Sequence, residues 1–238
     1  MPAASQSVDP PAVDPHRRNW LWHSLQFVMQ NIFTFWFRYR ARGLEKIPHG
    51  GALLLINHQS FLDPLFVGVG MRRPVSYLAR DSLFRVPLLG WILRNTYVMP
   101  ISRESAGTES LRLSIDRCRQ GYLVGIFPEG TRTIDGSVGP FKPGFVAIAR
   151  RCGVPVIPVG VAGAFEAYPR TVRFPRPGRI RVVFGDPVPP DEVLQLSLRG
   201  QEAAFVELMR SRVAACHQEA EAWRNQSASI VRPAANEP

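Results

Sequence analysis

Short apolar runs alternate along the chain with longer segments in which apolar residues recur every three or four positions. The runs predict buried strands and the longer segments predict helices. Their alternation is typical of an α/β domain, here with a mixed, largely parallel sheet flanked by helices. The predicted strands are residues 52–56, 75–79, 97–101, 122–127, 154–159 and 180–184. The predicted helices are residues 64–70, 87–94, 108–120, 144–151 and 201–223.

The segment 20–37 has a different pattern, because it is apolar and aromatic around most of a helix. Four of its polar residues, His23, Gln26, Gln30 and Thr34, form one narrow stripe. A membrane-spanning helix needs about 20 mostly apolar residues, and this segment is marginal in length and carries amides. Tryptophans and flanking arginines favour the headgroup zone. We therefore predict a helix that lies in the membrane interface, with a buried core helix as the alternative.

These patterns divide the chain into four segments. Residues 1–18 are rich in Pro, Ala and Ser, show no secretory signal, and are predicted to be disordered. Residues 19–42 are the predicted membrane-associated helix, and residues 43–225 the α/β domain. Residues 226–238 are a second predicted disordered tail. With 238 residues and 45% hydrophobic content, the chain is expected to build one sizeable core.

The net charge and the cysteine content limit the kinds of partner and cofactor that the chain is expected to bind. The formal net charge of +10 indicates an anionic partner: nucleic acid, anionic lipid or an acidic carrier protein. The sequence has no zinc-finger or aromatic RNA-binding motif and no dense basic run, which argues against nucleic acid. The three cysteines are far apart and odd in number, so neither a disulfide framework nor a zinc site is predicted.

A histidine follows the first predicted strand of the domain. His58 comes two residues after the apolar run, and Asp63 is near enough in sequence to turn back onto its imidazole ring. This is the arrangement of a general base with an orienting carboxylate. A structural alternative exists for Asp63, because an aspartate before Pro64 is also a typical helix N-cap.

A second polar loop follows the fourth predicted strand. Residues 127–132 place a carboxylate, a glycine, a hydroxyl and a guanidinium together, and such a loop is suited to hold a phosphate. Arg103 follows the third predicted strand. Since open α/β sheets bind ligands at the carboxyl ends of their strands, one crevice is expected to collect His58, Arg103 and Glu129.

Four sequence blocks in this order resemble the glycerolipid acyltransferases of the lysophosphatidic acid acyltransferase family. They are Asn57 to Asp63 (NHQSFLD), Pro100 to Arg103 (PISR), Phe127 to Arg132 (FPEGTR) and Val154 to Val159 (VPVIPV). The similarity extends over roughly residues 42–185. One position departs from the family pattern, since Tyr97 stands where a glycine commonly opens the second block.

The resemblance implies roles for individual residues. His58 would be the base and Asp63 would orient it, while Arg103 and Arg132 would bind phosphate. Glu129 would bond the glycerol hydroxyl or hold Arg132 in place. The other predicted substrate-binding residues are Gly130, Thr131 and Lys142. The prolines of the fourth block are expected to shape an edge strand.

The resemblance also implies a reaction. We expect direct transfer of a fatty acyl group from acyl-CoA or acyl-ACP to the free hydroxyl of a lysophospholipid, most simply 1-acyl-sn-glycerol 3-phosphate. No metal or nucleotide cofactor is predicted, because the corresponding motifs are missing from the sequence. The expected location is the cytoplasmic face of the inner membrane. A lyso-ornithine lipid or another lysolipid as acceptor, and a catalytically silent membrane-binding protein, are the alternatives.

Overall fold

The computed structural model describes residues 20–101 and 106–229, in which seven strands form a single sheet. In spatial order the strands are β1-β7-β6-β2-β5-β3-β4, and every neighbouring pair is parallel except β6 and β7. The predicted mixed, largely parallel sheet is therefore confirmed. The strands are β1 (Arg40–Arg42), β2 (Ala52–Ile56), β3 (Val75–Arg80), β4 (Met99–Ile101), β5 (Leu123–Ile126), β6 (Val156–Ala162) and β7 (Arg181–Phe184).

Helices cover both faces of this sheet. They are α1 (Trp20–Trp36), α2 (Asp63–Val69), α3 (Asp81–Phe84), α4 (Pro87–Asn95), α5 (Ala106–Arg119), α6 (Gly144–Cys152), α7 (Ala164–Ala167), α8 (Pro190–Leu196) and α9 (Glu202–Ser229), with a 3-10 turn at Leu44–Lys46. The core on one face joins α1 and α2 to the sheet through Phe33, Phe37 and Phe66. The opposite core includes Phe145 of α6 and Phe205 of α9.

Helix α1 presents two different faces. Phe33 is buried in the core, and the Gln26 and Gln30 amides donate to the carbonyl of Val69 at the end of α2, at 3.4 and 3.1 Å. The opposite face exposes apolar side chains to solvent, namely Trp20, Phe27, Val28, Ile32, Phe35 and Trp36. None of the helices that the structure describes has the length and hydropathy needed to cross a bilayer.

The boundaries predicted at the two ends of the domain are corrected. The helical segment predicted for residues 19–42 ends at Trp36, and residues 40–42 form the edge strand β1. The short Arg-Ala-Arg strand has no apolar run, so only its pairing with β7 reveals it. At the other end, α9 continues past residue 225 to Ser229. The predicted tail at residues 1–18, and residues 230–238 of the tail predicted at 226–238, lie outside the described residues.

The prediction that the two prolines shape an edge strand is wrong, because β6 lies between β7 and β2 with all seven residues buried. Pro155 precedes the strand, and its carbonyl accepts a hydrogen bond from the Leu53 amide at 3.0 Å. Pro158 is tolerated because the antiparallel pairing with β7 starts one residue later, at Val159.

Tyr97, which stands where the family pattern commonly has a glycine, has a backbone conformation that favours glycine. Its φ angle is +66°, in the left-handed region that favours glycine. Its side chain is buried with Trp22 and Tyr122. This cluster lies near the amino ends of β4 and β5, at the edge of the sheet opposite to their carboxyl ends.

Helix α9 packs against β6 at a point where only a glycine fits. A Cβ atom on Gly160 would lie 2.2 Å from the backbone nitrogen of His217 and 2.3 Å from the carbonyl carbon of Cys216. Since backbone atoms cannot yield as a flexible side chain does, this contact sets how closely α9 approaches the sheet.

We expect Gly160→Ala to lower the free energy of unfolding by about 1–3 kcal/mol, because the added methyl group forces α9 away from β6. The matched control is Gly144→Ala in α6, where an added Cβ meets no atom within 4 Å. The control should leave stability unchanged or slightly raised. Chemical denaturation of both variants measures the effect, and equal stabilities would contradict the packing argument.

Candidate active site

The candidate site begins where β2 ends. Asn57 extends the strand with its side chain: its Nδ2 donates to the Val161 carbonyl at 2.9 Å, and its Oδ1 accepts from the Val161 amide at 2.7 Å. The next residue, His58, therefore leaves the sheet in a defined direction. Its side chain remains 20% exposed, so one edge of the imidazole can meet a ligand.

His58 and Asp63 form the predicted pair. The His58 Nδ1 atom is 2.9 Å from Asp63 Oδ2, and the same oxygen accepts the amides of Gln59 and Ser60, each at 2.7 Å. Asp63 is completely buried. Burial raises the pKa of Asp63, and the hydrogen bonds from His58 and the two amides oppose that rise.

The capping alternative for Asp63 is not what the structure shows. Asp63 is the first residue of α2, and its carboxylate turns back to the preceding loop instead of capping the helix amides that follow. With Nδ1 of His58 donating to Asp63, Nε2 is the nitrogen left to accept a proton. The pair thus has the geometry of a base and its orienting group.

Glu129 has a role that the sequence did not predict. Its Oε1 accepts the backbone amide of His58 at 2.8 Å, and its Oε2 accepts the amide of Gly139 at 3.1 Å. Among the described residues, no basic side chain lies within ion-pair distance of this carboxylate, so it does not hold Arg132. Burial raises the pKa of Glu129, and the His58 and Gly139 amides lower it.

Further contacts fix the His58 loop to the loop that contains Glu129. The His58 carbonyl accepts the Thr133 amide at 2.8 Å. The His58 ring stacks on Phe127, with ring centroids 4.1 Å apart and planes at 26°. Phe127 in turn stacks on Tyr77 at 6.1 Å. The imidazole is therefore held at its backbone, at Nδ1 and on one ring face.

Two predicted substrate-binding residues meet beside this loop. Gly130 has φ +69°, and a Cβ atom there would lie 2.8 Å from Lys142 Nζ. The lysine side chain therefore crosses the glycine, and the left-handed backbone at this position also favours glycine. The Lys142 amide donates to the Pro128 carbonyl at 2.8 Å, which anchors the lysine backbone to the same loop.

The remaining predicted substrate-binding residues, Thr131, Arg132 and Arg103, have fewer described contacts with the His58 loop. Thr131 is exposed and its hydroxyl lies 3.5 Å from Arg170 Nη1. Arg132 is half-buried on the same loop. Arg103 lies outside the described residues, which resume at residue 106. Sequence reasoning missed Arg170, because nothing in the pattern separates it from the many other arginines of the chain.

Ser60 is adjacent to the pair but is engaged elsewhere. Its hydroxyl donates to the Tyr168 carbonyl at 3.0 Å and accepts the Leu62 amide at 3.2 Å, and the residue is completely buried. In the part of the chain that the structure describes, no three His, Cys, Asp or Glu side chains are grouped as metal ligands.

Comparison with known proteins identifies the family. A family model described as Acyltransferase matches residues 38–162, which include His58, Asp63 and Glu129. A 1-acyl-sn-glycerol-3-phosphate acyltransferase of Pseudomonas aeruginosa is 31% identical over 220 residues, covering 87% of this chain and 79% of that protein. A chloroplastic enzyme of the same name from Arabidopsis thaliana is 29% identical over 186 residues.

The chloroplastic relative is longer, and the matched region is 74% of this chain but 50% of that protein. Among solved structures, the acyltransferase PlsC from Thermotoga maritima superimposes with a TM-score of 0.69 at 23% identity. The superposition covers 89% of this chain and 80% of that one, and it supports the fold. The resemblance inferred from four sequence blocks is confirmed, and this chain belongs to the Acyltransferase family.

Proposed function

We propose that this protein transfers a fatty acyl group from a thioester donor to the free hydroxyl of 1-acyl-sn-glycerol 3-phosphate, which yields phosphatidic acid. The observation that carries the proposal is the buried Asp63 carboxylate bonded to His58 at the carboxyl end of β2. The names of the Pseudomonas and Arabidopsis relatives support this choice of acceptor. The donor would be acyl-CoA or acyl-ACP, and no resident cofactor enters the scheme.

The proposed chemistry is one direct transfer. His58 Nε2 takes the proton of the acceptor hydroxyl as its oxygen attacks the thioester carbonyl, so a C–O bond forms. Asp63 stabilises the imidazolium that results. When the tetrahedral intermediate collapses, the C–S bond breaks and the imidazolium returns its proton to the departing thiolate. The hydrogen bond from Ser60 to Tyr168 favours this route, because the serine hydroxyl is not directed at His58.

The proposed phosphate site is formed by Arg132 and Lys142 beside Gly130, with Thr131 as a hydroxyl donor. Lys142 lies across Gly130, which is exposed at this point of the loop. Arg103, which follows β4 by two residues in the sequence, is proposed to complete the site. Cationic side chains beside exposed backbone favour a phosphate monoester over a neutral acceptor. The departure from the family pattern at Tyr97 gives no reason to prefer a different acceptor, because its side chain is buried with Trp22 and Tyr122.

We further propose that α1 holds the enzyme on the cytoplasmic leaflet of an anionic membrane, where both substrates are available. Its outward face is apolar, with Trp20, Phe27 and Phe35 between 69% and 80% exposed. A row of aromatic side chains on a surface helix is the pattern of an interfacial anchor. The net charge of +10 adds attraction to anionic lipid.

The base assignment predicts a loss of rate without loss of fold. We expect His58→Ala to lower kcat by roughly 10²- to 10⁴-fold, with the binding of the acceptor retained. Asp63→Asn should also lower kcat, and should lower the free energy of unfolding by about 1–3 kcal/mol, because one oxygen serves three donors. Thiol release from the donor measures turnover. Normal turnover of purified His58→Ala would reject the mechanism, and a wild-type protein without turnover would favour the silent membrane-binding alternative.

The phosphate site predicts an effect that depends on the acceptor. We expect Arg132→Ala and Lys142→Ala each to raise the KM for lysophosphatidic acid by about 10-fold or more, because a charge-assisted hydrogen bond is lost. The control is Arg112→Ala on α5, whose side chain is 81% exposed. The two site variants should not change the KM for an unphosphorylated 1-acylglycerol. Unaltered kinetics with lysophosphatidic acid would favour a lyso-ornithine lipid or another lysolipid as acceptor.

The membrane surface is tested with point variants, because deleting α1 would also remove Phe33 from the core. We expect Phe27→Ser with Phe35→Ser to reduce flotation with phosphatidylglycerol-containing vesicles while the fold is retained. The matched control is Leu194→Ser with Leu198→Ser, which removes two apolar side chains that are 50% and 55% exposed in the α8 region. If both pairs float like the wild type, α1 is not the anchor.

A further inference from the structure

Gln59 lies between the two residues of the catalytic pair, and every polar atom of its side chain has a partner. Its Nε2 donates to the Gly136 carbonyl at 2.8 Å and lies 3.0 Å from Nε2 of His217. Its Oε1 accepts the amides of Ala164 at 3.1 Å and Phe165 at 3.3 Å. The side chain is 2% exposed.

These partners allow one orientation of the Gln59 amide. If the group were turned over, its oxygen would face the Gly136 carbonyl and its NH₂ would face the amides of Ala164 and Phe165. In the observed orientation the NH₂ group needs an acceptor at His217. The His217 Nε2 atom must then be unprotonated, with the proton of the neutral ring on Nδ1.

The surroundings of His217 keep the ring neutral. Burial on α9 lowers the pKa of His217, and this is the largest influence on it. Glu221, whose Oε1 is 3.8 Å from Nε2, and Glu166 oppose that effect, while Arg224 adds to it. Glu166 and Glu221 are both bonded to Arg224, at 2.7 and 2.8 Å, which offsets part of their negative charge.

We propose that Gln59 is a positioning residue and that His217 of α9 acts through it to hold the His58 loop in its reactive geometry. The inference rests on the proposed acyl transfer. The backbone of Gln59 links its side chain to the base, because the Gln59 amide donates to the same Asp63 oxygen that orients His58. A shift of the Gln59 side chain therefore displaces a donor of that oxygen, and with it the imidazole.

The connection reaches beyond the region matched by the family model. That region ends at residue 162, whereas Gln59 bonds Ala164, Phe165 and His217, which all follow it. The close contact of Gly160 with the His217 backbone fixes the distance between α9 and the sheet at this point. The carboxyl-terminal helix thus completes the support of the catalytic loop from outside the matched segment.

The test uses the purified full-length chain with Gln59→Ala, His217→Ala, the double variant and His217→Gln. A displacement of the base by about 1 Å costs on the order of 100-fold in rate. We expect Gln59→Ala to lower kcat by about 10- to 100-fold, and His217→Ala by less, with the KM for lysophosphatidic acid changed by less than about threefold. The double variant should match Gln59→Ala, because both substitutions break one connection.

Rescue separates positioning from a general loss of structure. His217→Gln should restore most of the rate, since its Oε1 can accept from Gln59 as Nε2 of the histidine does. The control on the same helix is Gln218→Ala, whose side chain is exposed and should leave turnover unchanged. Rates that multiply in the double variant, or a wild-type rate in both single variants, would overturn the proposal.

A second measurement does not depend on turnover. Hydrogen exchange of the segment from His58 to Asp63 should be faster in Gln59→Ala and His217→Ala than in the wild type and in Gln218→Ala. If the wild type releases no thiol but the exchange differs as expected, the proposed reaction fails and the positioning connection stands. If the wild type is active and the exchange is unchanged in both variants, the connection is wrong.

Discussion

Two buried carboxylates, Asp63 and Glu129, determine how the His58 loop is built. A carboxylate removed from water is costly unless several donors compensate, and here the donors are amides of the loop itself. Asp63 accepts the amides of Gln59 and Ser60 as well as the His58 ring, and Glu129 accepts the His58 amide. The loop conformation and the buried charges therefore depend on each other. In the proposed reaction, a base held in this way would need little reorganisation when it accepts a proton.

The sheet explains why these groups meet. Strands β2 and β5 are parallel neighbours, so the residues that follow them emerge at one edge. His58 follows β2, and Glu129 follows β5 after Phe127, which stacks on the imidazole. The contacts of His58 with Phe127 and with Glu129 both join residues that are far apart in sequence. The long separation of 71 residues between His58 and Glu129 is bridged by the register of two strands.

Helix α1 contributes one face to the core of the domain and the other face to its exposed surface. Phe33 packs against Phe66 with ring centroids 4.9 Å apart, so one face of the helix is part of the core. The other face exposes Phe27 and Phe35. If α1 is the proposed anchor, the membrane would set the orientation of the sheet directly, because only three residues separate α1 from β1.

The local sequence pattern by itself determined most of the buried strands and long helices, and the contact between residues that are close in sequence. The apolar runs predicted β2 to the residue, and the five-residue spacing predicted the contact between His58 and Asp63, since both depend on neighbours in sequence. The family blocks identified the loop of Glu129 but not its hydrogen bonds. Tertiary structure decided the features that depend on distant partners. The β1 strand exists because β7 offers a free edge, and the Glu129 carboxylate turns inward because it accepts the His58 amide of the other loop and the Gly139 amide. His217 reaches Gln59 across 158 residues, a contact that only the packing of α9 on Gly160 creates.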